Sequence, residues 1–365
     1  MANRIERRDF LKGAAVAAGM AALGGATLRS GEVHSAEEKP AGTTPPKLAA
    51  NRKRPYLFGA GMIWARWLNR EWEYDIKQMQ AFKDMGGVIT SASFDWVTVE
   101  PEKGKWDWAY SDHTVEAAQK IELVQFAYIG NTAAWALPEG VSKEHTYRNP
   151  PDEKYTEDFK NYCRTVARRY KGKINMFQFW NEPNGCSWVK DGCANGDQYA
   201  EYTKWLKIAY KALKEGNPDC IVAGAALDYH SGVTKGYEYI EGMYRSGAKG
   251  HFDAISIHPY SPNSSLHWKA VEDTHRVMKE NGDGDKEVWI TEYGWHNSQS
   301  DDAVKWLKEV LARLQTPDFS YVTNANYLCI TDLPLDGEQY GLISRDLKMR
   351  PIAEAFKEMS LAYNK

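Results

Sequence analysis

From residue 55 onward the chain alternates short apolar runs with segments of helical period, eight times over and with no break in composition. That alternation is the pattern of βα units around a parallel sheet. The apolar runs predict strands at Leu57–Gly61, Val88–Ala92, Leu123–Ile129, Ile174–Trp180, Ile221–Ala225, Ala254–Ile257, Val288–Thr291 and within Tyr321–Ile330. Between them, Ile76, Met79 and Phe82 recur every three residues in a helix over Tyr74–Met85, and Phe159, Cys163 and Val166 mark the inner face of a helix over Glu153–Tyr170. Further helices are expected over Asp112–Lys120, Asp197–Glu215, Asp301–Leu314 and Ile352–Leu361, and Gly216, Asn217 and Pro218 form a strong stop after the second of these. Eight units are what a closed (β/α)₈ TIM barrel needs, so residues 54–365 read as one α/β domain.

The N-terminal segment falls outside that pattern. Arg7, Arg8, Asp9, Phe10, Leu11 and Lys12 resemble a twin-arginine export signal, followed by an Ala- and Gly-rich run from Gly13 to Leu28. That run is too short and too weakly apolar for stable membrane insertion, so residues 1–36 are expected to act as a signal peptide and the chain to be exported to the periplasm or beyond. Residues 37–53, rich in Pro, Lys, Thr and Ala, read as a flexible linker. Lys and Arg number 46 against 49 Asp and Glu, which leaves no basic field for nucleic acid. Five cysteines are too scattered for a disulfide framework or a zinc pattern. Cys186 and Cys193 share one Gly-rich stretch and read equally well as a disulfide formed after export or as two free thiols.

In such barrels the reacting groups stand at the C-terminal strand ends. Strand four ends in Phe179, Trp180, Asn181, Glu182, Pro183 and Asn184, and strand seven in Trp289, Ile290, Thr291, Glu292, Tyr293, Gly294 and Trp295. A carboxylate closing an apolar strand is partly desolvated and costly, and two of them across one barrel mouth have no cheap structural reason. Glycoside hydrolysis needs such a pair: one acid to protonate the leaving oxygen, and one carboxylate to attack or stabilise the oxocarbenium-like centre.

Asn181, Glu182 and Pro183 after strand four, with Glu292 after strand seven, resemble the signature of glycoside hydrolase clan A, a group of retaining (β/α)₈ enzymes. The run Trp180 to Asn184, the turn His258, Pro259, Tyr260 and the loop with Trp96, Glu100, Pro101 and Gly104 are most similar to family 39, with family 5 next. The resemblance implies that Glu182 is the acid/base and Glu292 the nucleophile, with carboxyl groups about 5 to 5.5 Å apart. Beside an ionised Glu292 the second carboxyl is expected to hold its proton more tightly, and to release it once Glu292 is glycosylated.

The resemblance further implies that Asn181 hydrogen-bonds a substrate hydroxyl, that His258 borders the reacting subsite, and that Tyr260 bonds the nucleophile. Trp96, Trp135 and Trp295 could each offer a ring face to a sugar, and Asn131 and Asp95 could contact hydroxyls, although a loop Asn or Asp is usually turn chemistry. Many clan members place a Trp after strand eight; here Thr331 and Asp332 stand there, and Asp332 is a candidate for a sugar hydroxyl or amino group. The substrate is then a carbohydrate, with no cofactor and no metal, because only His258 stands clearly at a strand end. A secreted carbohydrate-binding barrel without turnover is the alternative.

Overall fold

The computed structural model describes residues 55–62, 72–143, 146, 149–185, 198–230, 234–333 and 339–363. The export signal, the linker, Cys186 and Cys193 lie outside the described residues. Eight parallel strands close into a barrel: β1 (Tyr56–Ala60), β2 (Ile89–Ser93), β3 (Val124–Ile129), β4 (Met176–Phe179), β5 (Ile221–Asp228), β6 (Ala254–His258), β7 (Glu287–Tyr293) and β8 (Val322–Tyr327). Each is hydrogen-bonded to its neighbours in sequence, and β1 also pairs with β8, so no edge is left open.

Among the described residues a long helix follows each strand: α1 (Trp72–Asp84), α2 (Ala109–Ile121), α3 (Thr156–Arg169), α4 (Gln198–Gly216), α5 (Gly236–Arg245), α6 (Ser264–Glu280), α7 (Asp301–Leu314) and α8 (Pro351–Tyr363), with a short extra α-helical turn, Trp96–Val99, before α2. The helices carry their apolar residues on one face. In α7 that face is Ala303, Trp306, Leu307, Val310, Leu311 and Leu314, and Ser300 caps its N-terminus by accepting from the Ala303 N–H at 3.2 Å. No helix among the described residues is long and apolar enough to cross a membrane.

Side-chain alternation gives the barrel an inside of its own. Ile89, Phe126, Tyr128, Met176, Ala223, Ala254 and Trp289, drawn from six strands, pack together as one buried cluster separate from the larger core under the helices. Residues from strands so far apart around the ring can meet only within it. Ile89, Met176, Ala223, Ala254 and Trp289 lie in the N-terminal halves of their strands, while Gln178, Ser256, His258 and Thr291 farther along β4, β6 and β7 are polar and buried, as are Asn324 and Asn326 of β8. All three described cysteines are buried, and Cys163 and Cys220 are free thiols.

Candidate active site

The backbone after β4 is bent to present Glu182. Trp180 and Glu182 take left-handed conformations with φ of 67° and 44°, each a strain of roughly 1–3 kcal/mol for a residue with a side chain. The Glu182 N–H donates to the Ala226 carbonyl at 2.9 Å. That carbonyl is offered by a bulge in β5, where the register skips a residue between Ala225 and Leu227 and both Ala225 and Ala226 have positive φ. Asn184 closes the turn by donating to the Asp228 and Thr234 carbonyls at 2.7 and 3.0 Å and accepting from the Asp228 N–H at 3.1 Å. On the other side, Gly130 has φ +147°, and a Cβ there would lie 2.8 Å from the Trp180 ring.

Glu292 arrives on β7 through a second irregularity, where the pairing with β8 shifts between Ile290 and Tyr293. Between the two acids stands His258, the fully buried last residue of β6. Its Nδ1 is 2.9 Å from Glu182 Oε1 and 3.5 Å from Glu292 Oε2, while its Nε2 is 3.1 Å from Thr291 Oγ1. The Tyr260 hydroxyl donates to Glu292 Oε2 at 3.1 Å. Ligand atoms of Glu182, His258 and Glu292 lie within 4.8 Å of one another. The two carboxyl side chains keep 11% and 10% exposure, so both open onto a space above the barrel instead of being sealed in it.

Two carboxylates this close cannot both be ionised without mutual repulsion, which favours one shared proton. A Thr291 hydroxyl donating to Nε2 leaves the ring proton of His258 on Nδ1, from where it serves either acid. Asn181 is half-buried, and its buried Oδ1 has no hydrogen-bond partner among the described residues.

Other expected contacts are rearranged. Trp96 has no exposed surface: its ring lies against Tyr162 and edge-on to Trp135, and its Nε1–H donates to Glu100 Oε2 at 2.6 Å. It is core, and no ring face is available to a sugar. Asp332 is likewise committed, in a pair with Arg350 that uses both carboxylate oxygens and also accepts the Gly341 N–H at 2.9 Å. Arg350 donates further to Ser298 Oγ and the Gly341 carbonyl, tying the loop after β7 to the loop after β8. Asp332 therefore shapes the rim from behind.

Asn131 takes a left-handed turn with φ 44° and its carbonyl accepts from Val97 N–H, while Asp95 accepts from Ser93 Oγ, both as turn chemistry. Trp135 is half-buried, with Nε1 bonded to the Glu100 carbonyl and Lys103 5.7 Å from its ring centroid. Trp295 is half-buried against Trp306. Thr291 and the Asn184–Asp228 clamp were missed in the sequence. Thr291 adjoins Glu292 and could have been found from strand alternation, whereas the clamp joins residues 44 apart and leaves no local trace.

The sequence profile of glycosyl hydrolase family 10 matches residues 51–327. The chain belongs to glycosyl hydrolase family 10. A twin-arginine translocation signal matches residues 4–24 and marks this family 10 chain for export. It is 25% identical over 172 residues to the β-galactosidase BbgII of Bifidobacterium bifidum, a match covering 42% of this chain and 24% of that protein. It is 22% identical over 188 residues to endo-1,4-β-xylanase C of Paenibacillus barcinonensis, covering 46% and 17%. The chain thus spans about a quarter or less of the length of these relatives. A solved family 39 glycoside hydrolase from Bacteroides cellulosilyticus WH2 superposes with a TM-score of 0.65 at 21% identity, over 84% of this chain and 64% of that one. Clan A membership thus stands as read from the sequence, with a family 10 profile on a barrel that a family 39 structure shares.

Proposed function

We propose that this family 10 chain is an exported retaining glycoside hydrolase in which residues 54–365 form the catalytic domain, Glu182 is the acid/base and Glu292 the nucleophile. The observation that carries the reading is the meeting of two solvent-reached carboxyls around one buried imidazole, His258.

In the first step the protonated Glu182 gives its proton to the glycosidic oxygen while a Glu292 oxygen bonds the anomeric carbon, and the C–O bond to the leaving sugar breaks. In the second, Glu182 as carboxylate takes a proton from water, whose oxygen bonds the anomeric carbon and expels Glu292. Tyr260 donates to Glu292 and favours its ionised form, His258 orients the two acids from between them, and Asn181 binds a hydroxyl beside the reacting carbon. Trp295, three residues beyond the nucleophile, is the aromatic side chain best situated to border the sugar, with Trp135 and Asn131 farther out on the β3 loop.

A β-linked polysaccharide is the substrate class, and the similarity to a xylanase makes xylan the first to try. The same three donors would also suit a small cation; the pairing of two acids at the ends of β4 and β7 supports the acid and nucleophile reading. Proton NMR of the first-formed product on a panel of β-linked xylo-, manno-, gluco- and galacto-oligosaccharides tests the reading. A β-product is expected; an initial α-product, or no turnover on any member, would refute it.

A further inference from the structure

We propose a second, non-catalytic carbohydrate site on the flank of the barrel, built to take a carboxylate-bearing polysaccharide along α3 and α4. It rests on the glycan-hydrolase reading only for the class of polymer expected to meet the protein. A groove of about 490 Å³ runs between the outer faces of these two helices, and none of its lining residues lies on a strand. Lys160 and Arg164 stand on one wall, Lys204, Lys207 and Lys211 on the other, with the partly exposed Ile208 between the lysines of α4. Glu157 and Glu215 also line the groove, in a chain whose formal net charge is −3.

The carboxylates do not neutralise the groove. Glu157 bonds Lys160 at 2.7 Å, Glu215 bonds Arg164 at 2.5 Å, and Lys204 is held by Glu153 and Glu201. Lys207 and Lys211 have no carboxylate partner among the described residues. Their field is felt nearby: His251 is held below its usual pKa by burial first and then by Lys207 and Lys211.

Lys207 and Lys211 stand four residues apart on one helix face, their backbone positions about 6 Å apart along the axis, so that both side chains can reach one extended acidic chain. Sugar C–H faces would rest on Ile208 while the carboxylates meet the lysines. A linear polyanion fits this arrangement better than a compact one, because Lys204, Lys207 and Lys211 follow one another along α4.

Affinity electrophoresis of the whole exported chain through gels containing polygalacturonate, neutral xylan or polyglutamate tests this. Retardation by polygalacturonate that weakens with salt is expected, with the Lys207→Gln/Lys211→Gln variant binding about fivefold more weakly and cleaving a small neutral aryl glycoside at the wild-type rate. No retardation of the wild type, or equal retardation of the variant, would overturn the site. Equal retardation by polyglutamate would make it a general anion-exchange face and overturn the carbohydrate assignment. Running the same gels with Glu182→Gln separates the two proposals, since the flank site must bind whether or not the barrel mouth hydrolyses.

Discussion

The two ends of the barrel interior are made of the same strands and obey opposite rules. At the N-terminal end, Ile89, Phe126, Met176, Ala223, Ala254 and Trp289 pack into one buried apolar cluster. At the C-terminal end the same strands deliver His258, Thr291, Glu182 and Glu292, with left-handed backbone at Trp180, Glu182, Ala225 and Ala226. Strain and like charge are concentrated where two carboxyls face one imidazole, and the lower layer supplies the packing that holds them there. Stability and chemistry are thereby divided along the strand axis.

The sharpest way to break this division is at the upper end. Glu292→Gln and Glu182→Gln should cut turnover on an activated substrate to the far end of, or beyond, the roughly 10²–10⁴-fold range of acid–base groups. Because each substitution relieves carboxylate repulsion, thermal melting should show no loss of stability. A variant that keeps substantial activity, or that unfolds, would place these acids with the packing residues.

The lower end should answer in reverse. Trp289→Ala empties the centre of the ring and should cost about 3–5 kcal/mol in urea unfolding, while the fraction that remains folded keeps its kcat. A collapse of kcat with stability intact would mean that the two layers are not separable.

The rim lies between these extremes. Arg350→Ala strands the Asp332 carboxylate in a nearly buried position and should lose about 3 kcal/mol. Because Arg350 joins the loops after β7 and β8, KM should rise more than kcat falls. The Arg350→Met/Asp332→Leu pair should recover most of the stability, which calorimetry can compare directly.

Acid sensitivity offers a milder probe of the shell. His267 on α6, packed against Trp268, Tyr293 and Trp306, is buried so completely that its pKa drops from 6.5 to about 3. As the pH falls through that window the unfolded chain gains a proton that the folded chain refuses, so stability is complete above about pH 6.5 and declines toward 3. His267→Gln should flatten this part of the curve in denaturant titrations, leaving the pH profile of kcat unchanged. Smallest of all, exhaustive dialysis against a chelator should leave activity where it was; a loss restored by one divalent ion would turn the carboxylate–histidine cluster into a metal site.

Much of the architecture was legible because it is periodic. All eight strands and the helices expected from Ile76, Met79 and Phe82 or from Phe159, Cys163 and Val166 are present, with ends shifted by a few residues. Glu182 and Glu292 were legible because an acid ending an apolar strand violates the local pattern. Trp96 was misread because a Trp after a strand looks alike whether it faces solvent or, as here, stacks on Tyr162. Asp332 was misread because its partner, Arg350, lies 18 residues on, across a loop that periodicity does not describe. The β5 bulge that carries the Ala226 carbonyl to Glu182 was invisible, since Ala225 and Ala226 carry no turn signature.

Reaction with 2-fluoro glycosides followed by peptide mass spectrometry goes to the centre of the account, because it freezes the covalent intermediate. The account predicts a single fluoroglycosyl ester on Glu292, formed with loss of activity and absent from Glu292→Gln. A label on Glu182 or elsewhere, or turnover with no trapped ester, would contradict it.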